Sequence, residues 1–218
     1  MDSSIILIVL FFILVIGLII LGAAQARKRR EQLQQWASAN GWRFDAERDR
    51  SLEHSFSEFS CLRQGSNRYG YNRVMGVSNE RSFLSFDYHY ETESRDSKGN
   101  RTTHNHYFSA VVIESAIPLH PLLVRPEGLF DKVTEFFGVD DIDFESSEFS
   151  RQFFVKAADR KWAYDVIHTR AMEFLLSQPR FIIEFGTAQV MIYLGRTFSI
   201  EEFDKALKVV AGLLDLMP

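Results

Sequence analysis

Leu84-Ser85-Phe86-Asp87-Tyr88-His89-Tyr90-Glu91 is the stretch whose reading decides the fold. Apolar or aromatic side chains take every even position and polar ones every odd position, the period of two expected of a strand with one buried face. Thr102 to Glu114 returns as a second strand after Glu93 to Arg101, where Lys98-Gly99-Asn100 supplies turn chemistry, so the two make a long β-hairpin. Further along, Pro118, Pro121 and Pro126 restrict Ile117 to Glu127 to an edge strand or extended connection. Gly128 to Phe137 reads as a helix closed by Gly138, and Phe153-Phe154-Val155 as a short strand. Asp159 and Thr169 each cap a helix, and Arg180 to Phe185 and Gln189 to Leu194 flank a Gly186-Thr187 turn. Ser199 and Glu202 form a capping box ahead of an apolar stripe of Ile200, Phe203, Leu207, Val210, Leu213 and Leu214. Strands and helices come in blocks, not in strict βαβ alternation. The fold class is α+β, with a mostly antiparallel sheet and packed helices.

Upstream of the hairpin the chain changes character. Ile5 to Leu21 is uncharged and apolar, continues through Gly22, Ala23 and Ala24, and is followed by Arg27-Lys28-Arg29-Arg30. A helix from Ile5 to Ala24 is about 30 Å long, the hydrocarbon thickness of a bilayer. The residues ahead of the run carry no Lys or Arg, and four cations follow it, which fits a retained anchor better than a cleaved signal despite the A-x-A pattern of Ala24-Gln25-Ala26. The positive-inside rule then puts the N-terminus outside and everything from Arg27 onward in the cytoplasm, with Arg27, Lys28, Arg29 and Arg30 placed to contact the membrane surface. The span holds no ionisable side chain, so it offers no proton relay or substrate path. Glu31 to Asn40 extends the helix, with Leu33, Trp36 and Ala37 on one side and Gly41 ending it. The resulting organisation is an anchor (1–26), a juxtamembrane flank and helix (27–41), a β-rich region (42–138) and a C-terminal α+β region (139–218).

Charge narrows the partners. All 25 Lys and Arg lie at or beyond Arg27, with 28 of the 29 acids, a net charge of −3, or −7 without the four juxtamembrane cations. An acidic body argues against nucleic-acid binding, which needs a basic face. The single cysteine, Cys61, excludes an internal disulfide framework and reads as a small buried side chain. Asp143-Phe144-Glu145-Ser146-Ser147-Glu148-Phe149, Phe153-Phe154-Val155, Ala163-Tyr164 and Met172-Glu173-Phe174-Leu175-Leu176 resemble a family of bacterial single-pass membrane-anchored proteins with a domain of unknown function. That resemblance implies a bacterial inner-membrane location and a compact domain behind an anchor, and carries no catalytic residues with it.

The sharpest chemical constellation is on the hairpin. With the turn centred midway between His89 and His106, these two face each other, Glu91 faces His104 and Asp87 faces Phe108, so His89, His104, His106, Asp87 and Glu91 share one surface. Imidazole and carboxylate are zinc ligands, and opposed Cβ atoms about 5 Å apart can reach one ion. A slip of one residue separates the set, and the competing reading is a solvated outer face. Asp140, Asp141, Asp143 and Glu145 form a second acidic group that lacks the glycine turn of a calcium loop. Pro118-Leu119-His120-Pro121 has the form of a polyproline ligand, and Asn100-Arg101-Thr102 that of a glycosylation sequon, irrelevant in a cytoplasmic domain. Phosphate-binding, dinucleotide, nucleophile-elbow and H-E-x-x-H signatures are absent. The sequence thus points to a cytoplasmic interaction or scaffold module tethered in the lipid bilayer, without a cofactor, that binds a protein partner or the membrane surface. The alternative is a metal-dependent enzyme using the hairpin histidines, with zinc as its ion.

Overall fold

The computed structural model describes residues 3–128 and 142–217. A single helix, α1 (Ser3–Ala39), carries the apolar run straight into the basic flank; its 37 residues make about 55 Å. Its two halves live in different surroundings. Large side chains from Leu7 to Leu21 are exposed, whereas Leu33, Trp36 and Ala37 are buried against the rest of the chain. Gly41 ends it at a φ of +70°, the left-handed conformation that lets the chain reverse, and the Trp42 N–H donates back to the Ala37 carbonyl at 2.8 Å.

The chain then runs through β1 (Arg43–Asp45), α2 (Leu52–Ser55) and a 3-10 turn at Ser60–Arg63. The long strands β2 (Ser66–Ser78), β3 (Arg81–Arg95) and β4 (Arg101–Glu114) follow. After β5 (Leu122–Pro126) come α3 (Ser147–Gln152), β6 (Phe153–Ala157), α4 (Arg160–Val166) and α5 (Thr169–Ser177). The chain closes with β7 (Ile182–Phe185), β8 (Gln189–Tyr193) and α6 (Ile200–Asp215). Every strand pairing is antiparallel, in one sheet of order β1-β2-β3-β4-β8-β7-β5-β6. The β4–β8 pairing joins the β-rich region to the C-terminal region, so both share one sheet.

Two layers cover the sheet. On one face Val74, Phe83, Val111, Ile113 and Ile192 pack under the end of α1 and under α6, whose stripe of Phe203, Leu207, Val210, Leu213 and Leu214 is buried as its spacing requires. The Ser199–Glu202 capping box is formed. On the other face Phe86, Tyr88, Ala110, Val112 and Met191 pack under Leu52, Phe59, Cys61 and Leu62, which makes Cys61 a core side chain. Gly65 lets this second layer close: at a φ of +62° it passes so near β3 that a Cβ would stand 2.0 Å from the Glu91 carbonyl oxygen.

Several expectations need correction. The segment bearing Pro118, Pro121 and Pro126 is not confined to an edge: β5 lies between β7 and β6, because Pro118 and Pro121 precede the strand and Pro126 closes it. Thr169 begins α5 but does not cap it; the preceding residue is His168, which makes no side-chain cap bond. The short helix α3, capped by the Ser146 hydroxyl on the Phe149 N–H, had no apolar period to announce it. Apart from Gly128, the helix expected over Gly128 to Phe137 with Gly138 closing it lies outside the described residues, as do Asp140 and Asp141.

Candidate functional site

Asp87 lies at the centre of β3, and its side chain is 1 % exposed. An isolated carboxylate could not be held there, because transfer out of water costs far more than one hydrogen bond returns. Its compensation comes from the first cytoplasm-facing turn expected of the anchor: Arg29 reaches across with Nε 3.1 Å from Oδ2 and Nη2 2.9 Å from Oδ1. Asn72 Nδ2 donates to Oδ2 at 3.0 Å and the Ser109 hydroxyl donates to Oδ1 at 2.5 Å. Ser109 in turn accepts from the Phe198 N–H at 2.9 Å, at the entry to α6. The Arg29 guanidinium also sits 5.5 Å from the Phe203 ring centroid. One carboxylate therefore ties α1, β2, β3, β4 and the start of α6 together. Beside it, burial and then the Asp87 charge push the Tyr71 phenol up.

This arrangement corrects one member of the expected membrane-surface set. Arg29 points into the domain, while Arg27, Lys28 and Arg30 remain exposed and Arg27 pairs along the helix with Glu31 at 2.8 Å. The direction of α1 follows from the same contacts. Trp36 packs on Trp42, with ring centroids 5.0 Å apart, and Trp42 packs on Phe83 at 4.7 Å, while seven residues back Arg29 holds Asp87. Moving along α1 toward its apolar run thus follows β3 from Phe83 to Asp87, toward the hairpin turn.

The hairpin register differs by one residue from the one that would gather the metal donors. His89 pairs with Tyr107, Tyr90 with His106, Glu91 with Asn105 and Thr92 with His104. Asp87, His89 and Glu91 therefore share the α1 face, while His104 and His106 lie on the opposite one. The turn sets this centre. Asp96 accepts from the backbone N–H groups of Lys98 and Asn100 and from Asn100 Nδ2, each at 2.9 Å, pinning a five-residue loop from Asp96 to Asn100. Each histidine is used locally. His89 is 2 % exposed with Nδ1 3.1 Å from the Asn67 carbonyl and Nε2 2.9 Å from Asn105 Oδ1. His106 Nε2 lies 2.8 Å from Thr92 Oγ1, with its ring stacked on Tyr90, and His104 Nε2 lies 2.8 Å from Ser94 Oγ. Among the described residues no group of three or more His, Cys, Asp or Glu is placed to hold a metal ion. The juxtaposition on which the zinc reading rested does not form.

Sequence reasoning missed a second buried carboxylate. Glu184 on β7 is 1 % exposed beneath the 3-10 turn, with Oε1 accepting from the Ser60 N–H at 3.4 Å. Burial pushes its carboxyl up to about 7, against the opposing pull of the Ser60 N–H, Arg63 and Tyr193. The only sequence signal was one acid within Phe181-Ile182-Ile183-Glu184-Phe185. Beside it a small cleft of about 40 Å³, lined by Cys61, Tyr90, Phe108, Tyr193 and Leu194, opens where β8 leaves β4. Asp143 and Glu145 are exposed and alternate with the buried Ile142 and Phe144, as a solvated edge would.

Comparison with family models and with curated proteins gave no match. Among solved structures, the chain is similar to the crystal structure of the mycobacterial trehalose monomycolate transport factor A, TtfA. The fold is shared. The likeness covers 87 % of this chain and 96 % of that one, with a TM-score of 0.61 and 13 % sequence identity. At that identity it concerns the fold alone.

Proposed function

We propose that this chain is a single-pass module of the bacterial inner membrane that holds an α+β domain against the bilayer for a protein partner, without catalysis. The observation that carries the reading is the Arg29–Asp87 pair, which fastens a helix long and apolar enough to cross a membrane to the middle of the sheet. The candidate metal-binding histidines on the hairpin support it, because each is bonded within the fold. TtfA, whose name is that of a transport factor, shares the fold and fits a membrane-associated role that is not enzymatic. The N-terminus lies outside and the domain in the cytoplasm, with Arg27, Lys28 and Arg30 against anionic headgroups.

Crosslinking of the full chain in its own membranes tests the role. We expect a discrete complex with a second protein, kept in a His89→Ala, His106→Ala double variant. Stoichiometric zinc in the purified chain that disappears in that variant, together with metal-dependent turnover, would overturn it. For orientation, a reporter fused after Pro218 is expected to work only as a cytoplasmic reporter; alkaline-phosphatase activity in the periplasm would reverse the topology.

A further inference from the structure

The two buried carboxylates of the sheet are supported very differently. Asp87 keeps its charge with a guanidinium, an amide and a hydroxyl, whereas Glu184, among the described residues, accepts one hydrogen bond, from the Ser60 N–H at 3.4 Å. The other carboxyl oxygen, Oε2, is buried with no hydrogen-bond partner, and so is Ser60 Oγ on the turn above. Its cross-strand neighbours, Leu123 on β5 and Met191 on β8, are apolar. The titratable groups that act on it are Arg63 on the turn and Tyr193 on β8, and burial outweighs both. The Ser60–Arg63 turn is fastened independently at its two ends. Before it, the Glu58 carboxylate accepts from the Thr187 N–H at 2.7 Å and from the Thr187 hydroxyl at 3.1 Å; after it, the Arg63 carbonyl accepts from Arg68 Nη1 at 3.1 Å. Between these points the turn is held to the sheet by Ser60 on Glu184 and by the Tyr88 hydroxyl on the Leu62 carbonyl at 2.7 Å.

We infer that the Ser60–Arg63 turn is a proton-operated latch, closed over Glu184 while the carboxyl is neutral and lifted from the sheet between its two fixed ends when the carboxyl gives its proton to water. The latch does not depend on the interaction role proposed above. Under the closed turn a charged Glu184 is left with a single N–H, whereas under the lifted turn water solvates it and returns it to the ordinary value of 4.5. Below pH 4.5 both forms keep the proton and the turn stays shut. From there to about pH 7 lifting releases a proton, so the open fraction grows tenfold per pH unit. Above about 7 both forms are ionised and the open fraction levels off, roughly 300-fold above its acid value. The Tyr88–Leu62 bond and the burial of Cys61 and Leu62 keep that acid value low. Arg63, exposed and carried on the turn itself, opposes lifting once Glu184 is charged, and burial prevails over it.

The experiment uses the full chain in detergent, with Cys61, a buried side chain of the turn, as the reporter. Its rate of labelling by a pyridyl disulfide is taken as the ratio of wild type to Glu184→Gln, so that the titration of the thiol itself cancels. That ratio is expected to rise at least tenfold from about pH 5 to about pH 8 and to level off above. Hydrogen exchange gives a second readout that needs no variant. Corrected for intrinsic rates, the Ser60 and Leu62 amides, bonded to Glu184 and to the Phe59 carbonyl, should lose protection over the same range while β3 and α6 keep theirs. If Glu184→Gln does not fold, exchange decides alone. A labelling ratio that stays flat with pH would overturn the latch. So would protection lost uniformly along the chain, because Glu184 would then give up its proton only on global unfolding.

Discussion

The near and far halves of the same hairpin carry the same alternation and end in opposite environments. From Phe83 to His89 and from Phe108 to Ile113 nearly every residue is buried, on both faces of the sheet. From Glu93 to Arg95 and from Arg101 to Asn105 every residue is exposed, again on both faces. Alternation therefore reports that a segment is a strand, not that its polar side meets water. Asp87 and His89 sit under a layer because Arg29, Asn72, Asn67 and Asn105 supply partners from elsewhere. Among the described residues no layer covers the far half, and its polar side chains are exposed.

Removing the cover of the near half should have the largest effect. Phe203 is fully buried against Trp36 and Phe198, so Phe203→Ala is expected to lower stability by ~3–5 kcal/mol in denaturant unfolding of the detergent-solubilised chain. Wild-type stability in that variant would mean that α6 is not part of the core. Next comes the ionic centre. Arg29→Ala leaves Asp87 buried without its cation and should cost ~2–4 kcal/mol, with Asp87→Ala similar and the double variant less than their sum. Strictly additive losses would show that the two charges do not interact.

Glu184 sharpens the contrast, being a buried carboxylate whose folded value lies near 7 instead of the ordinary 4.5. The folded state holds its proton more tightly than the unfolded chain, so this contribution is full below pH 4.5 and is lost as pH rises through about 7. Its scale is on the order of 3 kcal/mol. Unfolding midpoints should fall across that window, and Glu184→Gln should flatten the fall; an unchanged slope would place the titration elsewhere. The smallest effect belongs to the far half, where Thr103→Ala should change stability by less than about 0.5 kcal/mol in the same unfolding measurement. A large loss there would mean that the exposed hairpin is covered in solution.

Much of this architecture was legible in the residues, and what was hidden has physical causes. The Ser199–Glu202 box, the Gly41 stop and the α6 stripe are local signals, each complete within a few residues, and all appear in the fold. Hairpin register was not legible, because the turn between Glu93 and Arg101 allows several centres and Asp96 chooses one through bonds that composition does not reveal. The second role of the basic flank was hidden for another reason. Arg29 looks like its three neighbours as a topology signal, and its carboxylate partner lies 58 residues away in sequence. Glu184 was concealed by its surroundings: one acid in a strand reads as an outward position until a second layer is found above it.

The unbroken passage of α1 from its apolar run into the core has a consequence for encounter rates. A flexible ten-residue linker would let a domain roam an r.m.s. distance of roughly 17 Å from its anchor and sample many orientations. Here the linker length is zero and the azimuth of the helix is locked to the sheet at Arg29. With α1 in a bilayer, as proposed above, the domain would search only by lateral and rotational diffusion of the whole molecule. A neighbour in the same membrane would then meet one fixed aspect of the sheet at one height, and a small tilt of the helix would sweep the far hairpin through an arc, so that bilayer thickness would itself set the effective concentration of that surface.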